Sequence, residues 1–314
     1  MSVIFTTRDR TSGYKSPSGR GNLTEIYIKA PESESQTSGT SRSSLAVAFH
    51  PPRPPVFATK LEEREFLKFR LAQALRIFGN RGYDEGVAGH ITVRDPIRPD
   101  CFWVNPFGLH FKLIQPSDLL LVDHKGKILE ESGQKDGPFR ILNTAAFMIH
   151  SAIHTARPDV LCAAHSHSTY GKAFSALGKT LDPISQDACA FYNDHALYTQ
   201  YNGIVLDEAE GLAITQALGS KKAAILQNHG LLVATASIEA TLHFYVAMER
   251  ACQVQLLADS AAAGTGGKTV LINAAQAAET GKTVGSQVAG WFSGSMEFMV
   301  LERDEGVRFK VPPK

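Results

Sequence analysis

The chain has 314 residues, 43% of them hydrophobic, enough to bury one sizeable core and a small appendage. Its 32 basic and 31 acidic residues leave a formal net charge of +1, which excludes nucleic acid or an anionic membrane as a partner drawn in by charge and leaves a small metabolite as the expected ligand. No apolar run approaches the roughly 20 residues that span a bilayer, and the opening MSVIFTTRDRTSGYKS lacks the apolar stretch of a secretory signal, so a cytoplasmic protein is expected.

Residues 1–55 mix Ser, Thr, Gly, Pro and charge, as in PESESQTSGTSRSS and HPPRPP, and are expected to form a disordered or loosely draped arm. From Leu61 the pattern changes. Phe66, Leu67, Leu71, Ala74, Leu75 and Phe78 recur at helical spacing until Gly79-Asn80-Arg81-Gly82 stops them, which predicts an amphipathic helix. Short strands follow at His90–Arg94 and Cys101–Val104, joined by a turn around Pro96 and Pro99, and another at Leu119–Val122 before the hairpin-like Asp123-His124-Lys125-Gly126. Asn143–Ala156 reads as a helix ending before Pro158. Val160–His165 is a buried strand, and Tyr170–Leu177 a helix closed by Gly178. Ala223–Leu226 and Leu231–Val233 are strands around the turn Asn228-His229-Gly230, and a long helix from Ser237 to Ala262 ends at Gly264-Thr265-Gly266-Gly267. Strands and helices mixed in this way imply an α/β layered domain over residues 56–265, with residues 266–314 as a tail packing on it. The four cysteines, Cys101, Cys162, Cys189 and Cys252, form no C-x-x-C, and three of them sit in apolar settings that read as inert buried thiols, in keeping with a reducing compartment.

The chemistry is expected at the histidines. In an extended strand His165 and His167 project to the same side, with Ser166 opposite, so their imidazoles can share a metal ion. A catalytic metal commonly takes three protein ligands and keeps a position for water or substrate. His229, in its tight turn between two apolar strands, is the best candidate for the third. His150 and His154 sit four apart on a predicted helix, but no Glu follows His150 as H-E-x-x-H requires, so packing or support of the site is the expected role.

Several stretches resemble the class II aldolase and adducin head-domain family. They are Glu85-Gly86-Val87-Ala88-Gly89-His90-Ile91-Thr92-Val93-Arg94, Asn105-Pro106-Phe107-Gly108, Ala156-Arg157-Pro158-Asp159-Val160 leading to Ala164-His165-Ser166-His167, and Gln227-Asn228-His229-Gly230-Leu231-Leu232, in order over roughly residues 60–265. Asn143–Phe147 and Gln186–Asp194 are similar to a fungal and bacterial branch whose members mostly lack an assigned reaction. The resemblance implies a three-layer α/β/α sandwich with a central, mostly antiparallel sheet. It also implies His165, His167 and His229 as ligands of one divalent metal, usually zinc, and a homo-oligomer, commonly a tetramer. Fe(II) suits the same three imidazoles.

Three departures bear on the reaction. Where sugar-phosphate aldolases of the family carry a Glu as acid/base, four residues before His150, this chain has Ala146; their phosphate-binding Gly-Asn becomes Gly89-His90, and their paired serines become Thr144-Ala145. The expected activity is therefore a metal-dependent lyase acting on a small carbonyl compound, other than a sugar-phosphate aldolase. The alternatives are a non-haem iron oxygenase or an isomerase or cyclase on the same scaffold, and a non-catalytic adducin-like interaction module. Proton transfer needs a new side chain, for which Asp187, Tyr192 and Glu85 are the catalytic candidates. Asp187 and Tyr192 lie in an apolar stretch where burial would raise a carboxyl pKa or make the phenol a donor. His90, Asn105, Asn143 and Asp194 are the candidates for binding substrate, and Phe107, Phe191, Trp291 and Phe292 would make a pocket apolar.

Overall fold

The computed structural model describes residues 52–203 and 207–309 and two short strands before them. Those strands, β1 (Val3–Phe5) and β2 (Ile26–Ile28), pair antiparallel with Val3 opposite Ile28, in a unit that ends at Pro55. Apart from these and residues 52–55, the arm expected over residues 1–55 lies outside the described residues.

The second unit starts at Val56. Thr59 caps α1 (Lys60–Asn80) by accepting the Glu62 N–H on its hydroxyl, and the helix buries Leu71, Leu75 and Phe78 before Gly82 turns the chain at φ +71°. Then come β3 (His90–Arg94), β4 (Phe102–Val104), β5 (Leu120–Val122), α2 (Thr144–Ala156), β6 (Cys162–Ser166) and α3 (Thr169–Ser175). After a 3-10 turn at Ala188–Phe191 follow β7 (His195–Tyr198), α4 (Glu208–Leu218), β8 (Ala223–Leu226) and β9 (Gly230–Thr235). The chain closes with α5 (Ile238–Gly264), α6 (Ala274–Val284) and α7 (Gln287–Glu305). The seven strands of this unit run in the order β5-β4-β3-β6-β9-β8-β7, every neighbouring pair antiparallel except β7 with β8.

Alternation along the strands divides the core in two. Ile91, Val93, Cys162, Ala164, Leu231, Val233, Ala223 and Ile225 pack with α1 and α5 on one face. Their neighbours Ala163, Leu232, Ala234, Ala224 and Leu226 pack with Ile149 and Ile153 of α2 and Ile214 and Leu218 of α4 on the other. The strands β6, β8 and β9 therefore feed a core on both sides and read as nearly unbroken apolar runs, and helices on the two faces make the domain a three-layer α/β/α sandwich. By the same alternation His90, Thr92, Ala163 and His165 face α2.

Of the C-terminal helices α7 covers α5, while α6 packs on the 3-10 turn Ala188–Phe191. Arg70 of α1 bonds to Glu239 of α5 at 3.2 Å and Glu302 of α7 at 2.9 Å, tying three helices together. The closest approach is at Gly294, where an added Cβ would lie 2.0 Å from the carbonyl oxygen of Glu239. Trp291 and Phe292 sit half-buried on α7. Gly294→Ala is expected to force α7 away from α5 and destabilise the domain by about 1–3 kcal/mol, seen as a lower Tm in calorimetry. Gly264→Ala, where the new methyl meets open space, should leave Tm unchanged or slightly raised.

Candidate metal centre and its cavity

Three chain segments converge where β6 ends. His90 opens β3 and is paired in register with His165, the penultimate residue of β6; His167 follows one residue past the strand. The third segment is the loop Gln227-Asn228-His229 between β8 and β9, in which Asn228 adopts φ +57° and the His229 N–H donates to the Leu226 carbonyl at 3.0 Å. Gly230 then lets this turn press on β6, because a Cβ there would stand 2.6 Å from the Ser166 carbonyl oxygen. Imidazole nitrogens of His165, His167 and His229 consequently lie within 4.8 Å of one another, with ring centroids 4.6–5.2 Å apart.

The protonation of this set suits a metal. His165 Nδ1 is 2.9 Å from the Leu231 carbonyl, which can only accept, so Nδ1 carries the proton and Nε2 keeps its lone pair. Burial holds His165 well below the ordinary imidazole pKa, lowers His167, and brings His229 to about 4, so the three rings are neutral at pH 7. The segment after His167 is pinned from α5. The Glu249 carboxylate accepts from Ser168 Oγ, from the Tyr170 N–H at 2.8 Å and from the Gly171 N–H at 2.7 Å, while the Tyr245 hydroxyl donates to the Ser166 carbonyl at 2.9 Å. This clamp sets both His167 and the first turn of α3, which carries Lys172.

The histidines open into a cavity of about 680 Å³. Val87, Phe107, Ile141, Leu142 and Ile149 give it an apolar wall, and His90, Asn143, Lys172, Tyr201 and Asn228 add polar groups. His90 is buried, neither of its ring nitrogens has a hydrogen-bond partner among the described residues, and burial keeps it neutral. Its ring centroid is 4.3 Å from that of His150 and 5.1 Å from that of His165.

The structure brings together some of the expected residues and separates others. His90 and Asn143 line the cavity, Asn143 also capping α2 by accepting the Ala146 N–H at 3.2 Å. Glu85 is exposed and does not line it, but its carboxylate pairs with Lys172, which does; that hydrogen bond and charge lower its pKa, so Glu85 stays ionised and cannot act as an acid at neutral pH. Asn105 is buried away from the cavity, its Oδ1 accepting the Ile91 N–H at 3.1 Å, so it holds β3 and not substrate.

Asp187, Tyr192 and Asp194 are also absent from the cavity. The 3-10 turn Ala188–Phe191 leads into β7, an outer strand three spacings from β6, about 14 Å away. There Asp187 is exposed and lacks the apolar burial expected of it, Tyr192 is half-buried, and Asp194 is paired with Lys222. Phe191 sits in the α1/α5 core, and neither Trp291 nor Phe292 reaches the cavity. Sequence reasoning passed over Lys172, although its place five residues after His167, in the first turn of a helix starting at the strand end, was a usable signal.

Comparison with known proteins bears on the family and the fold. Residues 69–256 match the Class II Aldolase and Adducin N-terminal domain family. The chain is 43% identical to the decarboxylase NovR of Streptomyces niveus, over 77% of this chain and 86% of that protein. It is also 43% identical to a 4-hydroxy-3-prenylphenylpyruvate oxygenase/4-hydroxy-3-prenylbenzoate synthase of Streptomyces roseochromogenus subsp. oscitans, over 76% of this chain and 83% of that one. Among solved structures, an L-fuculose 1-phosphate aldolase from Glaciozyma antarctica PI12 superposes with a TM-score of 0.74 at 50% identity, covering 81% of this chain and 95% of its own.

The buried histidines behind the cavity give a pH dependence of stability. Burial holds His150 well below its usual pKa and His154 at about 3, whereas in the unfolded chain both titrate near 6.5. Below pH 6.5 the unfolded chain therefore binds protons that the fold excludes, and stability falls with pH until the folded groups themselves titrate. At pH 5 the loss is about 2 kcal/mol per ring. Denaturant unfolding at pH 7 and pH 5 checks this: His154→Gln should lose less stability across the interval than the wild type, and equal losses would contradict the assignment.

Proposed function

Because the chain belongs to the class II aldolase and adducin N-terminal domain family, we propose that it is a metal-dependent lyase for a small carbonyl compound and not a sugar-phosphate aldolase. The observation that carries this reading is a three-histidine set, its central tautomer fixed by Leu231, opening into a largely apolar cavity walled by Thr144 and Ala145, while Ala146, at the position of the family's acid/base Glu, is buried and does not line it. His165, His167 and His229 would hold the ion, with zinc the expected metal. The ion would supply polarisation of a substrate carbonyl.

The remaining groups favour an aryl or branched alkyl 2-oxo acid. The Lys172 ammonium at the cavity wall can hold a carboxylate, with Glu85 orienting it. Phe107, Ile141 and Ile149 suit an apolar substituent. His90, neutral and unpartnered, can take or return a proton at the carbon beside the carbonyl. The names of the two Streptomyces relatives, a decarboxylase and a prenylphenylpyruvate enzyme, are consistent with such a substrate. A homo-oligomer, commonly a tetramer in the family, and a cytoplasmic location complete the proposal.

Elemental analysis should find one divalent ion per chain, and His165→Ala should lose both the ion and the activity on phenylpyruvate-type acids. Full activity in metal-free protein would sink the reading. Lys172→Met should raise KM by about tenfold or more with a smaller change in kcat, as expected for loss of a carboxylate anchor.

The oxygenase name of the second Streptomyces relative favours one other reading, an Fe(II) oxygenase at the same three histidines. Oxygen uptake that requires both Fe(II) and an aryl 2-oxo acid would select it over the lyase.

A further inference from the structure

Behind His90 the sandwich buries a line of polar groups that packing alone does not call for. Thr92 follows His90 on the same face of β3, and its Oγ1 lies 2.6 Å from His150 Nδ1 and 2.8 Å from His154 Nε2, both rings coming from α2. A hydroxyl has one proton, so it donates to one ring and accepts from the other, which gives the chain a direction. His150 Nε2 and His154 Nδ1, at the two ends, have no hydrogen-bond partner among the described residues, and His90 stands 4.3 Å from His150 between ring centroids. His154, stacked on Phe102 at 5.1 Å, lines a second cavity of about 890 Å³ together with Arg94, His124, Ser151 and Thr155. Three imidazoles and a hydroxyl without full pairing are costly to bury, and they occupy the face of α2 that Ala146 begins one turn earlier.

We propose that His150, Thr92 and His154 form a buried relay that moves a proton between His90, at the metal-centre cavity, and the second cavity on another face of α2. The origin of the proton rests on the carbonyl reading above; the path does not. When the C–H bond beside the carbonyl breaks, its electron pair stays with the substrate and its proton goes to one nitrogen of His90. The His90 and His150 rings touch edge-on without a hydrogen bond, so His90 gives the proton on its other nitrogen to His150 Nε2 when its ring turns toward it, and His150 gives the one on Nδ1 to Thr92. The Thr92 hydroxyl proton passes to His154 Nε2, and His154, whose ring lines the second cavity while Nδ1 is buried, releases its Nδ1 proton to water there when the ring turns outward. One proton enters and one leaves, each ring changes tautomer, and none retains a charge. His150, Thr92 and His154 are positioning and relay groups, and only His90 meets substrate.

The test uses the zinc-loaded full chain, with phenylpyruvate as probe and deuterium uptake from D2O as readout. Thr92→Val should slow exchange by about 10- to 100-fold at unchanged KM and zinc content, and Thr92→Ser should restore it. Exchange at the wild-type rate in Thr92→Val overturns the relay. In parallel, 15N-histidine spectra should show the ring nitrogens of both His150 and His154 shifting in Thr92→Val and returning in Thr92→Ser; unmoved resonances also overturn it. Absence of exchange in the wild type would count against the carbonyl reading alone, and the histidine spectra would then decide whether the relay exists.

Discussion

The antiparallel register of β3 on β6, with His90 opposite His165 and Thr92 opposite Ala163, decides which side chains meet at the site. Side chains on a strand alternate with period two, so a slip of one residue would turn His90 and Thr92 toward α1 and α5 and bring Ile91 and Val93 against the metal-binding histidines. The register is held by more than the ladder. Asn105 accepts the Ile91 N–H, Arg94 reaches the backbone carbonyls of Val160, His154 and Arg157, and Ile91 and Val93 of β3 join Cys162 and Ala164 of β6 in the core under α1 and α5. The chemistry at the sheet end is thus fixed by packing several residues away from it.

Much of this was legible in the sequence. Alternation placed His165 and His167 on one side of a strand, the Asn-His-Gly turn marked His229, and most of the elements up to α5 followed from apolar spacing and caps such as Asn143 and Ser237. Where the reading failed, the missing information was tertiary. Asp187, Tyr192 and Asp194 stand in an apolar context that suggests a pocket, but that context is the core under α5 and α6, and the segment runs into an outer strand. Asn105 offered a side chain that backbone hydrogen bonding had already claimed. Thr92 could have been noticed, since period two pairs it with His90 and period 3.6 pairs His150 with His154; what no local rule reveals is that β3 and α2 face each other.

Ala146 takes on a different meaning in the fold. It is fully buried one helical turn before His150, facing the same strand, so the site of the missing carboxylate adjoins a group of imidazoles and is not filled by a single replacement acid. The candidate metal ligands and the groups proposed to move protons lie on different elements: the first at the end of β6 and in the β8–β9 loop, the second on β3 and α2.

The helix α2 has no charged residue in its thirteen positions, and only Thr144, Thr155 and Ala156 are exposed. Ordinary surface helices vary freely along a solvated stripe while their inner stripe is conserved by packing. Here one side walls the first cavity, another walls the second, and a third meets the sheet. Nine of the thirteen positions line one of the two cavities, so a substitution at any of them changes the shape or polarity of a space that a small molecule can enter, and divergence along α2 among related chains would record changes of substrate more directly than divergence at the histidines of the site.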